Sequence, residues 1–165
     1  MSTQSSPCPV TISLKDTKSL IDALEELIKD SNLMPTEEER CNNPEVNAFS
    51  VGKVPKVDLE NYFSRLIKYS KLQKGTFIAM MIYLDKAAEK IDFTRFNIHR
   101  LILGALVCAI KYTCDICGSN IYYSKVGGVS PYEMCVIENC FLELLDYSLY
   151  INQEEYNKYF NFLKE

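Results

Sequence analysis

The stretch Leu101-Ile102-Leu103-Gly104-Ala105-Leu106-Val107-Cys108-Ala109-Ile110 decides the fold. Its residues follow neither the alternation of a half-buried strand nor the single stripe of a surface helix. Extended to Asn97–Cys114, the segment has helical length and is apolar on nearly every side. A helix of that kind belongs at the centre of a bundle, with other helices around it. The run is bounded by Arg100 and Lys111 and holds ten residues, too few to cross a bilayer.

Towards the C-terminus, Gly127-Gly128 breaks the chain in a tight turn. Ser130-Pro131-Tyr132-Glu133 then supplies an N-cap, a proline at the first helical position and an acidic residue three after the cap. The helix opened there runs to about Asp146 and buries Met134, Ile137, Cys140 or Phe141, Leu144 and Leu145. A last helix, Gln153 to Leu163, carries Tyr156, Tyr159, Phe160 and Leu163.

Towards the N-terminus, Thr76 to Lys90 and Asp58 to Ser70 are further helices, the second with Asp58 where a carboxylate suits the helix dipole. Residues 31–55 hold Pro35, Pro44, Gly52 and Pro55 without a sustained period and are expected to form a connector, with Phe49 pinning it to the body. Residues 14–30 form an amphipathic helix buried through Leu20, Ile21, Leu24, Leu27 and Ile28, with Asp16 as its N-cap. Residues 1–13 form a flexible tail. The fold class is therefore all-α, and no internal repeat points to a solenoid.

A chain of 165 residues that is 47% apolar, with 8 Phe and 11 Tyr, can fill one ordinary core, which excludes a disordered regulator. The net charge of -4 argues against partners held through neutralised phosphates, whether nucleic acid or membrane. No positive segment followed by an apolar one marks the N-terminus as a secretory signal, so the expected location is cytoplasmic and/or nuclear. The odd count of 7 cysteines implies free thiols rather than a disulfide framework. Cys114 and Cys117 have the spacing of a zinc or redox half-site, but no second pair and no nearby histidine completes it.

Catalytic chemistry finds little support. The sole histidine, His99, has no Ser or Cys nucleophile beside it and sits at a helix start, where a structural or capping role is expected. The glycine pair lacks a phosphate-loop context. No cofactor, metal or small-molecule substrate is implied. Two charges stand out among apolar neighbours: Lys111 after the central run, and Glu138 inside the next long helix. Each either snorkels to solvent or borders an apolar docking surface.

Several segments, in order and at the expected separations, resemble the cyclin box, specifically the single-box cyclins of the P/U type. They are Tyr62-Phe63-Ser64-Arg65-Leu66-Ile67-Lys68-Tyr69, Ile82-Tyr83-Leu84-Asp85-Lys86 and Asn97-Ile98-His99-Arg100-Leu101-Ile102. Ala109-Ile110-Lys111-Tyr112, Tyr122-Tyr123-Ser124-Lys125-Val126-Gly127-Gly128-Val129-Ser130 and Glu138 complete the set. The resemblance covers about Pro55 to Glu165.

It implies a single five-helix cyclin box over residues 56–165, with an extra N-terminal helix and a C-terminal helix. It further implies a non-catalytic regulatory subunit that binds and activates a cyclin-dependent Ser/Thr protein kinase as a heterodimer by packing against the kinase C-helix. Lys111 and Glu138 would then meet the end of that helix, and Cys108, Tyr112, Leu142, Tyr147 and Leu149 would form the apolar groove for it. Arg65 and Asp85 look like internal charges holding the first helices together. The Met-Arg-x-x-Leu pattern for substrate recruitment is absent from Lys56 to Phe63, so docking of that type is not expected. The alternative is a cyclin-like fold serving as a nucleic-acid or transcription-factor module, which ordinarily needs two boxes and a basic face.

Overall fold

The computed structural model describes residues 12–28 and 34–164, and among these the chain is helical with no strand. The elements are α1 (Leu14–Leu27), α2 (Glu37–Asn42), α3 (Pro44–Phe49), α4 (Leu59–Ser70), α5 (Lys74–Ala88), α6 (Ile98–Thr113), α7 (Asn120–Gly127), α8 (Pro131–Leu144) and α9 (Gln153–Phe162).

The central segment behaves as its composition requires. Every residue of α6 from Leu101 to Ile110 is buried. Its main neighbours are α5 and α8, and α3, α4 and α7 close the remaining sides. Gly104 lets α8 approach, because a Cβ there would lie 3.0 Å from Cδ2 of Phe141. The helix α5 is buried more completely than a one-sided stripe would be, from Thr76 through Leu84. Among the described residues α5 and α6 thus lie side by side with their middle turns enclosed, α9 covering α5 and α1 laid on α4.

Local capping sets most helix starts. Ser130 accepts from the Glu133 amide and the Glu133 carboxylate returns to the Ser130 amide, with Pro131 in the first turn, as the sequence pattern demands. Asp58 caps α4 by accepting from the Asn61 amide, which holds its carboxyl below the usual range. At α1 the expectation needs correcting. Ser13 is the N-cap and Asp16 is the reciprocal partner three residues on. Asp16 is buried and also faces the Lys74 ammonium at 3.7 Å, so it ties α1 to the start of α5.

The N-terminal boundaries also shift. Residues 1–11 of the expected tail, and residues 29–33 at the junction of helix and connector, lie outside the described residues. Ile12 packs against the core and Ser13 caps α1, so these two belong to the domain rather than to a tail. The segment expected to be a plain connector contains α2 and α3, each started by a side-chain cap, Thr36 and Asn43. Six-residue helices are too short to display a period, which is why the pattern hid them. Phe49 does pin this segment: it is fully buried, edge-on to Phe141 with centroids 6.2 Å apart.

The helix α7 has no apolar stripe, because its buried residues are Tyr123, Ser124, Val126 and Gly127. It ends on Gly128, whose φ of 72° is the left-handed conformation that glycine adopts without a Cβ penalty.

Candidate docking site

The last turn of α6 brings Lys111 to the surface where α7 begins and α8 passes. Lys111 Nζ stands 2.6 Å from Oε1 of Glu138. The pair is closed by a residue the sequence did not single out. Asn120, the first residue of α7, accepts from Lys111 Nζ at 2.7 Å and donates to Oε2 of Glu138 at 2.7 Å. Its amide also reaches the Cys135 sulfur at 3.4 Å. Glu138 keeps 13% of its side chain exposed and Lys111 33%, so the charges are partly desolvated and held by a hydrogen-bonded third member. Asn120 escaped notice because an asparagine after a serine in a turn-rich stretch is an ordinary helix start. Only the packing of α7 on α8 gives it a partner.

Beside this triad lie the candidate groove residues. Cys108, one turn before Lys111, is buried, and burial together with the nearby Glu138 charge pushes its thiol up to about 12. Tyr112 is 49% exposed. Both lie within electrostatic reach of Tyr83, whose hydroxyl is raised above its ordinary range chiefly by burial and donates to the Leu149 carbonyl at 2.8 Å. Tyr83 is therefore the post that fixes the segment after α8 beside the end of α6. It was part of the quoted Ile82–Lys86 segment but carried no role there.

That segment has an unusual backbone. Asp146 and Tyr147 have φ of 50° and 56°, the left-handed region that non-glycine residues seldom enter. The Tyr147 amide donates to the Leu142 carbonyl at 2.9 Å and closes the end of α8. The Tyr147 ring is left 65% exposed, while Leu142 and Leu149 pack partly against the core. The structure thus places Lys111, Glu138, Cys108 and Tyr112 around the α6 terminus, and Leu142, Tyr147 and Leu149 along the end of α8, joined through Tyr83.

Arg65 and Asp85 depart from expectation. Asp85 is exposed and accepts from the Tyr159 hydroxyl of α9, so it anchors the C-terminal helix rather than the first ones. The guanidinium of Arg65 lies 5.1 Å from the Tyr62 ring centroid on its own helix. His99 holds the segment leading into α4, its Nε2 2.9 Å from the Val57 carbonyl, with its ring against Tyr62. Of the two cysteines at half-site spacing, Cys114 lies beside the Thr76 and Thr113 hydroxyls and Cys117 is exposed. Among the described residues no group of three or more His, Cys, Asp and Glu gathers in metal-binding proximity.

The family sequence model described as Cyclin matches residues 12–149. The chain belongs to the cyclin family.

Among curated relatives, this cyclin is 29% identical over 150 residues to Cyclin-U4-1 of Arabidopsis thaliana, covering 89% of the present chain and 74% of that protein. It is 31% identical over 134 residues to PHO85 cyclin-like protein psl1 of Schizosaccharomyces pombe, covering 79% and 55%. It is 30% identical over 109 residues to Cyclin-P3-1 of Oryza sativa subsp. japonica, covering 65% and 46%. These matches make it a P/U-type cyclin. The match to the family begins at Ile12, which agrees with Ile12 and Ser13 being packed and capping residues of the domain. Among the described residues of this cyclin, no helix is long and apolar enough to cross a membrane.

Proposed function

We propose that this cyclin is the non-catalytic regulatory subunit of a cyclin-dependent Ser/Thr protein kinase, acting in the cytoplasm and/or nucleus. It activates the kinase by packing the α6–α8 face against the kinase C-helix. The observation that carries the reading is the Lys111–Asn120–Glu138 triad, a preformed charged clamp at the edge of a partly apolar face that includes exposed Tyr112 and Tyr147. A charged pair pre-set by a third residue loses little side-chain freedom on binding, and exposed tyrosines beside it supply the amphipathic area that stable interfaces favour.

The effect on the kinase is a population shift. A kinase needs the ion pair between its strand lysine and its C-helix glutamate to position ATP. A partner that binds only the state with the helix turned inward favours that state by the difference in binding free energy. The cyclin performs no bond chemistry itself.

The test is a pull-down of kinases from the source organism with wild type and with a Lys111→Ala, Glu138→Ala double variant. Retention of a protein kinase by wild type and its loss with the variant are expected. Absence of any kinase on the wild type sinks the function. Equal retention by the variant removes the assignment of these two residues.

A further inference from the structure

At the opposite end of α6 a second polar feature has no part in the docking face. A cavity of about 270 Å³ opens between the start of α6, the end of α7 and the segment leading into α4. Its polar lining is Arg65, His99 and Arg100, and its walls include Val57, Tyr62 and Val129. From His99 to Lys111 the helix rises about 18 Å, so the two sites are separate.

The charges around this cavity do not balance. Arg100 is satisfied, donating to the Ala48 carbonyl at 3.0 Å and to the Glu133 carboxylate at 2.5 Å. Arg65 has no hydrogen-bond or carboxylate partner among the described residues, and its Nε is buried without one. Arg65 is only partly buried, and Nε is the donor it keeps from water without an acceptor, which is costly for a group that cannot shed its charge. Its guanidinium lies over the face of Tyr62, a weak substitute for an acceptor. His99 offers no compensation. Burial lowers its pKa, and the adjacent Arg65 charge lowers it further, against the opposing hydrogen bond to Val57 and the charge of Asp58. Its Nδ1 is also buried without a partner. The end of the Arg65 side chain runs beside Gly128, where an added Cβ would stand 3.4 Å from Nη2.

We propose that this cavity is an oxyanion site whose ligand is a phosphoryl group, either inorganic phosphate or a small phosphate monoester, received by the free guanidinium fork of Arg65. The planar fork matches two oxygens of such a group. Arg100, already paired with Glu133, adds no uncompensated charge, so the recognition rests on Arg65. The volume exceeds what a bare ion fills, and the apolar side leaves room for a short organic substituent.

The experiment is a nuclear magnetic resonance titration of the full-length chain with inorganic phosphate and, separately, phosphoethanolamine, with ionic strength held constant by chloride. Saturable one-to-one shifts centred on the Arg65 guanidinium and the His99 ring are expected. The tighter of the two ligands identifies whether the free ion or the ester is the source. Arg65→Gln is expected to weaken binding at least tenfold, and Arg65→Lys, which keeps the charge but not the fork, several-fold. Shifts that fail to saturate, that map elsewhere, or that persist unchanged in both variants overturn the site. Should Arg65→Gln fail to fold, as judged by thermal unfolding, Arg65→Lys decides. Kinase retention is expected to be the same for folded Arg65 variants and wild type, so failure here leaves the docking proposal standing.

Discussion

Lys111 and Glu138 stand 2.6 Å apart although they come from different helices with all of α7 between them in the chain. Asn120 is the reason they form a fixed pair rather than two independent surface charges. We expect the pair to be coupled in stability as well as in binding. In a double-mutant cycle of Lys111→Met and Glu138→Gln, the interaction energy read from urea unfolding should be about 1–2 kcal/mol, between the values for exposed and buried pairs. Asn120→Ala should reduce that coupling. A coupling near zero in wild type would show the clamp is not preformed.

Tyr147 separates binding from folding. Its left-handed backbone at φ 56° is costly for a tyrosine and free of that penalty for glycine. Tyr147→Gly should therefore leave thermal stability unchanged or raise it by up to about 1 kcal/mol, while kinase retention falls because an exposed ring is lost. A variant that loses stability and keeps its kinase would contradict both halves.

The close packing of α6 on α8 at Gly104 predicts intolerance to the smallest addition. Gly104→Ala places a methyl 3.0–3.1 Å from Phe141, itself fully buried, and should cost about 1–3 kcal/mol. Thermal unfolding should show a drop of several degrees. Phe49→Ala, which removes the ring edge-on to Phe141, should cost about 3–5 kcal/mol and expose residues 34–57 to limited proteolysis first.

The pH response has one early component. His99 has a pKa below its ordinary value of 6.5, first because of burial. The unfolded chain therefore binds more protons than the folded one as pH drops below 6.5, and stability falls with falling pH in that window. His99→Gln should flatten the urea midpoint between pH 7.5 and 5.5 relative to wild type. The capping carboxyls Asp58 and Glu133, whose pKa values are lowered, come into play as pH falls through the ordinary carboxylate range, from about 4.5, and stability falls with it.

Thiol accessibility should report the bundle directly. Cys41, Cys117 and Cys135 are exposed, whereas Cys108 and Cys140 are buried with raised thiol pKa values. Brief alkylation at pH 8 should modify the first three and spare the last two, and denaturant should remove the difference. Labelling of Cys108 in the native protein would mean that the end of α6 is not where this fold puts it.

Sequence alone determined the parts whose signal is local. The ten-residue apolar run, extended to Asn97–Cys114, declared a buried helix because the segment is too long for a buried strand. Ser130-Pro131-Tyr132-Glu133 announced α8 because capping is a matter of residues three apart. Lys111 and Glu138 stood out because a charge amid apolar neighbours demands an explanation wherever it occurs. Tertiary structure decided what depends on partners distant in the chain. It gave Asn120 its place between two charges, paired Asp85 of α5 with Tyr159 of α9, set Tyr83 as the post under Leu149, and left Arg65 without an acceptor among the described residues. Periodicity reports which face of a helix is buried. It does not report which atom of another helix waits there, because that contact is fixed only when the helices pack.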